Sequence, residues 1–345
     1  MTEILEGIKV VELATVLAGP LVGSFLGEHG AEVVKIEPPG GDVTRSWKHP
    51  DESGASYFAA CNWSKSYQEL DLQEASNREQ LELLVREADV VISNFIPRVE
   101  VKLKLSTSDL QAMNPKIIHA KLLGYRSEKT KPAYDAVLQA ETGWMGLNGD
   151  QTSGPMKLPV AIVDLFAAHH MKQAILLALI KRGQSGKGAV VTCDLESSAF
   201  SNLANQASLS LAGISTGPAG SLHPNIAPYG ETLQFQKGKR AILAVGSDVQ
   251  FSALSQILDC ARLADDERFS SNKKRVINRK ALMAYMQLRA SLMSIESFLE
   301  KCLSSGVPVG KVNSLDEALI QPQVRALIIE DEIGRRITTS PFTIE

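Results

Sequence analysis

The 345-residue chain has little of what marks several protein classes. Its four cysteines, Cys61, Cys193, Cys260 and Cys302, are far apart and form no CxxC pair. A disulfide framework and a structural zinc site are therefore not expected, and the thiols read as reduced groups of a cytoplasmic protein. Lys and Arg number 36 against 39 Asp and Glu, a net charge of −3, so no strong field of one sign points to nucleic acid or an anionic membrane. No stretch approaches the ~20 apolar residues of a spanning helix. The start, Met1-Thr2-Glu3-Ile4-Leu5-Glu6-Gly7, lacks the cationic segment of a signal peptide. Internal repeats, low-complexity tracts, G-x-G-x-x-G, P-loop, G-x-S-x-G and H-E-x-x-H are all missing, which removes the usual dinucleotide, nucleotide, serine-hydrolase and metalloprotease signals.

The length suggests about two domains, and 44% apolar residues suffice for ample cores. In the first 200 residues strand and helix signals alternate. Strands are expected at 8–13, 31–37, 89–93, 117–123 and 189–195, with helices after Gly19-Pro20, at 81–87 and around 109–113. This order predicts a parallel sheet covered by helices on both faces. Near residue 222 the pattern changes to a hairpin, 229–235 and 240–245 across Lys237-Gly238, followed by helices at 249–258, 280–292 and 297–303. From Val307 the tail returns to β-like segments at 324–329 and 336–339.

Asp164 is the residue with most chemical content. It separates the run Leu158–Val163 from a second apolar run that begins Leu165-Phe166-Ala167-Ala168 and reads as a buried helix of about five turns ending at Arg182-Gly183. A carboxylate at the head of such a helix is costly to desolvate. It is either an N-cap or a nucleophile held on a rigid element beside a pocket. His169 and His170 do not share its face. Tyr134-Asp135 precedes another helix start, where capping is the plain reading. Lys35, Arg45, Lys65, Lys102 and Lys121 are scattered basic residues, those near strand ends being suited to a phosphate-bearing ligand.

Taken in order, these segments resemble the class III CoA-transferases, the CaiB–BaiF family. The resemblance rests on Leu5–Leu13, Leu17-Ala18-Gly19-Pro20, Gly30–Glu37, Gly41-Asp42 with Arg45 and Trp47, Asn62 with Lys65, and Asn94-Phe95. It continues through Tyr134-Asp135, Gly186-Lys187-Gly188, His223-Pro224 to Tyr229-Gly230, and Val245-Gly246 with Gln250-Phe251. The resemblance implies an α/β fold with a Rossmann-like large domain made from both chain ends, here 1–222 with 316–345. It also implies a small α+β domain at 223–315 and an interlocked homodimer.

It implies that Asp164 is the catalytic nucleophile. Coenzyme A, as acyl-CoA substrate, would touch Val16, Leu17, Lys35, Asn94, Phe95, Lys102 and Tyr134. The partners are then an acyl-CoA and a small carboxylic acid, with no metal. The sequence departs from the family in four places. Leu17 stands where members often carry glutamine. Ile96-Pro97-Arg98 follows Asn94-Phe95 where many read Arg-Pro-Gly. No glycine-rich substrate loop follows Tyr229. The sequence ends at Glu345, short of C-terminal helices common in the family. The alternatives are a 2-methylacyl-CoA racemase of the same superfamily, in which a histidine would occupy the Tyr134 position, and a CoA-binding member without turnover.

Overall fold

The structure, a computed structural model, describes residues 3–50, 54–128, 130–150, 152–214, 216–218 and 220–344. Six strands form one sheet: β1 Lys9–Glu12, β2 Glu32–Glu37, β3 Ser66–Glu69, β4 Val90–Ser93, β5 Ile118–Leu123 and β6 Ala189–Asp194. Their order is β3-β2-β1-β4-β5-β6 and every pairing is parallel. The two central strands, β1 and β4, pair Val11 with Val91, and both of these side chains are buried. Such strands carry near-continuous β-branched runs because helices cover both faces. The chain reverses direction across the sheet between β1 and β4, the place where open α/β sheets receive ligands. Strand β3 was not expected from the sequence, because Ser66-Tyr67-Gln68-Glu69 is a polar edge strand without apolar alternation.

The chain divides into two compact units, 1–146 with 156–216 and 325–345, and 147–155 with 217–324. The expected boundaries were 222/223 and 315/316. The difference has local causes. Ser221 Oγ donates to the Gly230 carbonyl, and the His223 N–H donates to the Tyr229 carbonyl, so the segment before the hairpin packs with the second unit. The Gly220 N–H donates to the Gly149 carbonyl, which brings the short 147–155 excursion along.

The second unit has its own core, including Leu233, Phe235, Leu243, Phe251, Phe269, Met286 and Phe298. Strands β7 Tyr229–Gln234 and β8 Arg240–Ala244 form the expected hairpin. Strand β9 Val309–Lys311, not expected, extends it on the β8 side. The tail hairpin, β10 Ile328–Asp331 and β11 Gly334–Ile337, belongs to the first unit, so that unit is built from both chain ends. It is fastened by Glu28, whose carboxylate accepts hydrogen bonds from Thr338, Thr339 and Ser340 hydroxyls at 2.8–2.9 Å.

The Asp164 helix spans Ile162–Ser185 and ends at Gly186, whose φ of 69° gives the left-handed turn that glycine favours. One of the two readings of Asp164 falls here, and the expected burial of the helix is corrected. Asp164 is not the N-cap: Ala161 holds that position and Asp164 is the third helical residue. Nor is the helix buried on nearly every side. Val163, Ala167, Ala168, Met171 and Ile175 face the core, while Leu177 and Ile180 are exposed. By length and by a mean hydropathy of 1.3 this helix could cross a membrane. The sequence reading had found no such stretch. Its packing in the core of the first unit, together with Asp164, Lys172 and two histidines along its length, gives it a core role instead.

Candidate active site

A cavity of about 190 Å³ opens at the carboxyl ends of β1, β4 and β5. Its walls are Thr15–Gly19 after β1, Asn94–Ile96 after β4, Leu122–Gly124 at the end of β5, the segment Lys131–Asp135, Leu195, and Asp164. Sequence-distant residues converge here because parallel strands deliver all their carboxyl-end loops to one edge.

Loop 15–19 is held in an unusual shape. Val16 has φ 74°, a left-handed value that costs a β-branched residue on the order of 1–3 kcal/mol. Asn94 grips the preceding residue from both sides: its Oδ1 accepts the Thr15 N–H at 3.3 Å and its Nδ2 donates to the Thr15 carbonyl at 3.1 Å. Ala18 and Gly19 then open the Ala18–Glu28 helix, whose first-turn N–H groups have no helical acceptors.

Asp164 is half-buried in the cavity wall. Among the described residues nothing hydrogen-bonds or ion-pairs with its carboxylate. Burial pushes its pKa up to about 7, and the neighbouring Asp135 charge adds to the rise. The capping role falls to Asp135. Its Oδ1 accepts the Val163 N–H at 2.9 Å and its Oδ2 accepts from Gln139 Nε2 at 2.7 Å. Gln139 is fully buried, and its Oε1 accepts the Leu158 N–H at 2.8 Å, fixing the segment that enters the helix. Asp135 thus satisfies the helix N-terminus that Asp164 would otherwise cap, and Asp164 is left unbonded.

A second cavity, of about 210 Å³, lies at the ends of β1, β2 and β3. Apolar groups dominate it: Leu13, Ile36, Pro38, Pro39, Leu70, Leu72 and Leu103. Thr15 and Phe95 line both cavities, so the two adjoin.

The sequence profile of CoA-transferase family III matches residues 5–337. The chain belongs to that family. A succinate–glutarate CoA-transferase of Agrobacterium fabrum is 36% identical over 93% of this chain and 83% of the relative. The human succinyl-CoA:glutarate CoA-transferase is 31% identical over 95% of this chain and 76% of the relative. A crystal structure of a CAIB/BAIF family protein from Brucella suis superposes with a TM-score of 0.91 at 38% identity, covering 100% of this chain and 93% of the other.

In this family III CoA-transferase the structure brings together Val16, Leu17, Asn94, Phe95, Tyr134 and Asp164 around one cavity. Tyr134 is 66% exposed. Lys102 lies apart, exposed at the end of the Pro97–Lys102 helix, next to Leu103 of the second cavity. Lys35 is a correction. Its side chain is 0% exposed, with Nζ 3.0 Å from both Glu12 Oε1 and Asp42 Oδ2, and it lines neither cavity. Sequence reasoning missed Lys131, which lines the main cavity and whose ammonium pairs with Glu141 at 2.8 Å. Nothing in the local sequence Glu128-Lys129-Thr130-Lys131 marks that lysine out. Among the described residues no group of three or more His, Cys, Asp or Glu side chains could hold a metal ion.

Proposed function

We propose that this transferase moves coenzyme A from an acyl-CoA to a small carboxylic acid, with Asp164 as nucleophile. The observation that carries this reading is the Asp164 carboxylate: unbonded, stripped of much of its hydration, and set in the wall of the cavity at the sheet's switch point. A carboxylate is a weak nucleophile in water. Desolvation and a fixed orientation raise its reactivity.

In the proposed sequence an Asp164 oxygen attacks the donor thioester carbon, and collapse of the tetrahedral oxyanion expels CoA thiolate, leaving an acyl-aspartyl anhydride. The thiolate attacks the Asp164 carbonyl carbon, releasing the donor acid and forming an aspartyl-CoA thioester. The acceptor carboxylate attacks that thioester, giving a second anhydride and free thiolate. Attack of the thiolate on the acceptor acyl carbon restores the Asp164 carboxylate and yields the new acyl-CoA. No water enters, so the thioester energy is conserved. Leu17 has no side-chain donor for the oxyanion, and the backbone N–H groups of Leu17, Ala18 and Gly19 serve instead, the Val16 N–H being taken by Asp42.

In this proposal CoA lies along the two adjoining cavities. The pantetheine thiol lies in the Asp164 cavity, and the adenine lies among Pro38, Pro39 and Leu72, with Lys102 near the phosphates. Relatives named for succinate and glutarate favour four- and five-carbon dicarboxylates as donor acyl group and acceptor. Assembly as an interlocked homodimer in the cytoplasm completes the proposal. Exposed apolar side chains of the first unit, among them Leu177, Ile180, Phe200, Leu211 and Ile214, support a covered face. The substrate reading is tested by incubating the protein with succinyl-CoA and a series of mono- and dicarboxylic acids and separating the acyl-CoA products. New thioesters of the dicarboxylates support it; hydrolysis alone, or epimerisation of a single-enantiomer 2-methylacyl-CoA offered in a parallel incubation without transfer in the first, contradicts it.

A further inference from the structure

Beneath the 15–19 loop lie four ionised side chains, Glu12, Lys35, Asp42 and Lys65, all with 0% side-chain exposure. Lys35 Nζ is 3.0 Å from Glu12 and 3.0 Å from Asp42, and Lys65 Nζ is 2.8 Å from the other Glu12 oxygen. Two cations and two anions sum to zero charge. Burying four charges is expensive even when they are paired, and apolar replacements of equal volume are often at least as stable. Burial outweighs Glu12 at Lys65 and brings its amine down to about 8. Stability of the core therefore does not account for the quartet.

Its contacts with the backbone do. Lys35 Nζ donates to the Ala14 carbonyl at 2.7 Å, Lys65 Nζ donates to the Pro20 carbonyl at 2.7 Å, and Asp42 Oδ2 accepts the Val16 N–H at 3.3 Å. These three points bracket and pin residues 15–19, and all five of those residues line the cavity that holds Asp164. The pinned Val16 is the one with φ 74°. A left-handed valine persists only where its surroundings over-determine it. The quartet is itself confined. Asp42 Oδ1 is occupied by the Thr44 N–H at 3.0 Å and hydroxyl at 2.8 Å. A Cβ at Gly23 would sit 1.8 Å from Glu12 Oε2, so the Ala18–Glu28 helix approaches the carboxylate as closely as a glycine permits.

We infer that Glu12, Lys35, Asp42 and Lys65 are positioning residues, a charge-balanced clamp that holds the 15–19 loop in its strained form opposite Asp164. None of the four touches substrate. They act through the backbone of Val16–Gly19, which lines the same cavity as Asp164. The inference rests on the reading of the Asp164 cavity as the transfer site.

The test is the charge-balanced double variant Lys35→Met/Asp42→Leu, which removes the contacts to Ala14 and Val16 and leaves Glu12 and Lys65 as a neutral pair. Its melting temperature should stay within about 3 °C of the parent, as buried pairs replaced together are often neutral. Its kcat should fall tenfold or more, a larger factor than any rise in KM for acyl-CoA, because the loop N–H groups act on the charge of the transition state while CoA keeps its other contacts. A folded double variant with kcat within twofold of the parent overturns the inference. If the double variant does not fold, Asp42→Ala alone, which removes the acceptor of the Val16 N–H, is read in the same way: a fall in kcat larger than any rise in KM supports the clamp, and unchanged kcat overturns it. Asp164→Asn, assayed beside them, separates the two claims. Transfer surviving there would remove Asp164 as nucleophile, whereas intact turnover in the quartet variants would remove only the clamp.

Discussion

Replacing Asp164 with asparagine should abolish transfer and make the protein more stable at pH 8. The carboxyl's pKa is raised from 3.8 to about 7, burial being the first cause and Asp135 the second. At 1.36 kcal/mol per pKa unit this is roughly 4 kcal/mol of native-state destabilisation when the group is ionised. The sign follows from proton counting. Between pH 3.8 and 7 the native state holds a proton that the unfolded chain has lost, so stability falls as pH rises through that window and stays low above it. Asparagine carries no charge and avoids the cost. An ionised side chain in the first turn of a helix recovers about 0.3–1 kcal/mol from the dipole, so the net gain at pH 8 is about 3 kcal/mol. It should shrink by roughly 1.4 kcal/mol for each pH unit below 7. Guanidinium unfolding of parent and variant at pH 5, 6, 7 and 8, at one fixed protein concentration, measures it. A variant less stable than the parent at pH 8, or a gain that does not change with pH, would refute the claim that Asp164 is a desolvated, uncompensated carboxylate.

The same carboxyl sets a pH dependence of turnover: kcat/KM should rise with pH through about 7 as Asp164 ionises, and Asp135→Asn, which removes the neighbouring charge while keeping an acceptor for the Val163 N–H, should move that rise to lower pH. An unmoved limb would mean that Asp135 does not tune Asp164. Lys102→Ala should raise KM for acyl-CoA, and the effect should fade at high salt as phosphate contacts are screened. An unchanged KM at low ionic strength would take Lys102 out of the CoA site. Sedimentation at nanomolar concentration should show a dimer whose dissociation coincides with unfolding, because interlocked rings part only when a chain opens. A folded, active monomer would contradict the interlocked form.

Much of the large unit was legible in the sequence because its inner strands are β-branched runs punctuated by glycine and proline, as in Val10-Val11 and Val90-Val91-Ile92. The polar edge strand Ser66–Glu69 was not, since its place depends on pairing with β2 rather than on its own pattern. The site divides along the same line. Val16, Leu17, Asn94, Phe95 and Tyr134 follow strand ends or precede a helix, and the fold brings them together. Lys35 looked like its surface counterparts. Only the approach of Glu12 and Asp42, 23 and 7 residues away in the chain, makes it a buried clamp. The head of the Asp164 helix stayed ambiguous for a related reason. Its cap comes from Asp135, which lies 28 residues before Val163 in sequence, and local spacing cannot show that an aspartate has been relieved of capping.

The most direct test of the central claim is mass spectrometry of the intact protein after incubation with succinyl-CoA and no acceptor acid, followed by peptide mapping. The account predicts an adduct of CoA mass on the peptide that contains Asp164, lost when glutarate is added and never formed in Asp164→Asn. Transfer at full rate with no adduct on that peptide, or an adduct that persists in Asp164→Asn, would contradict it.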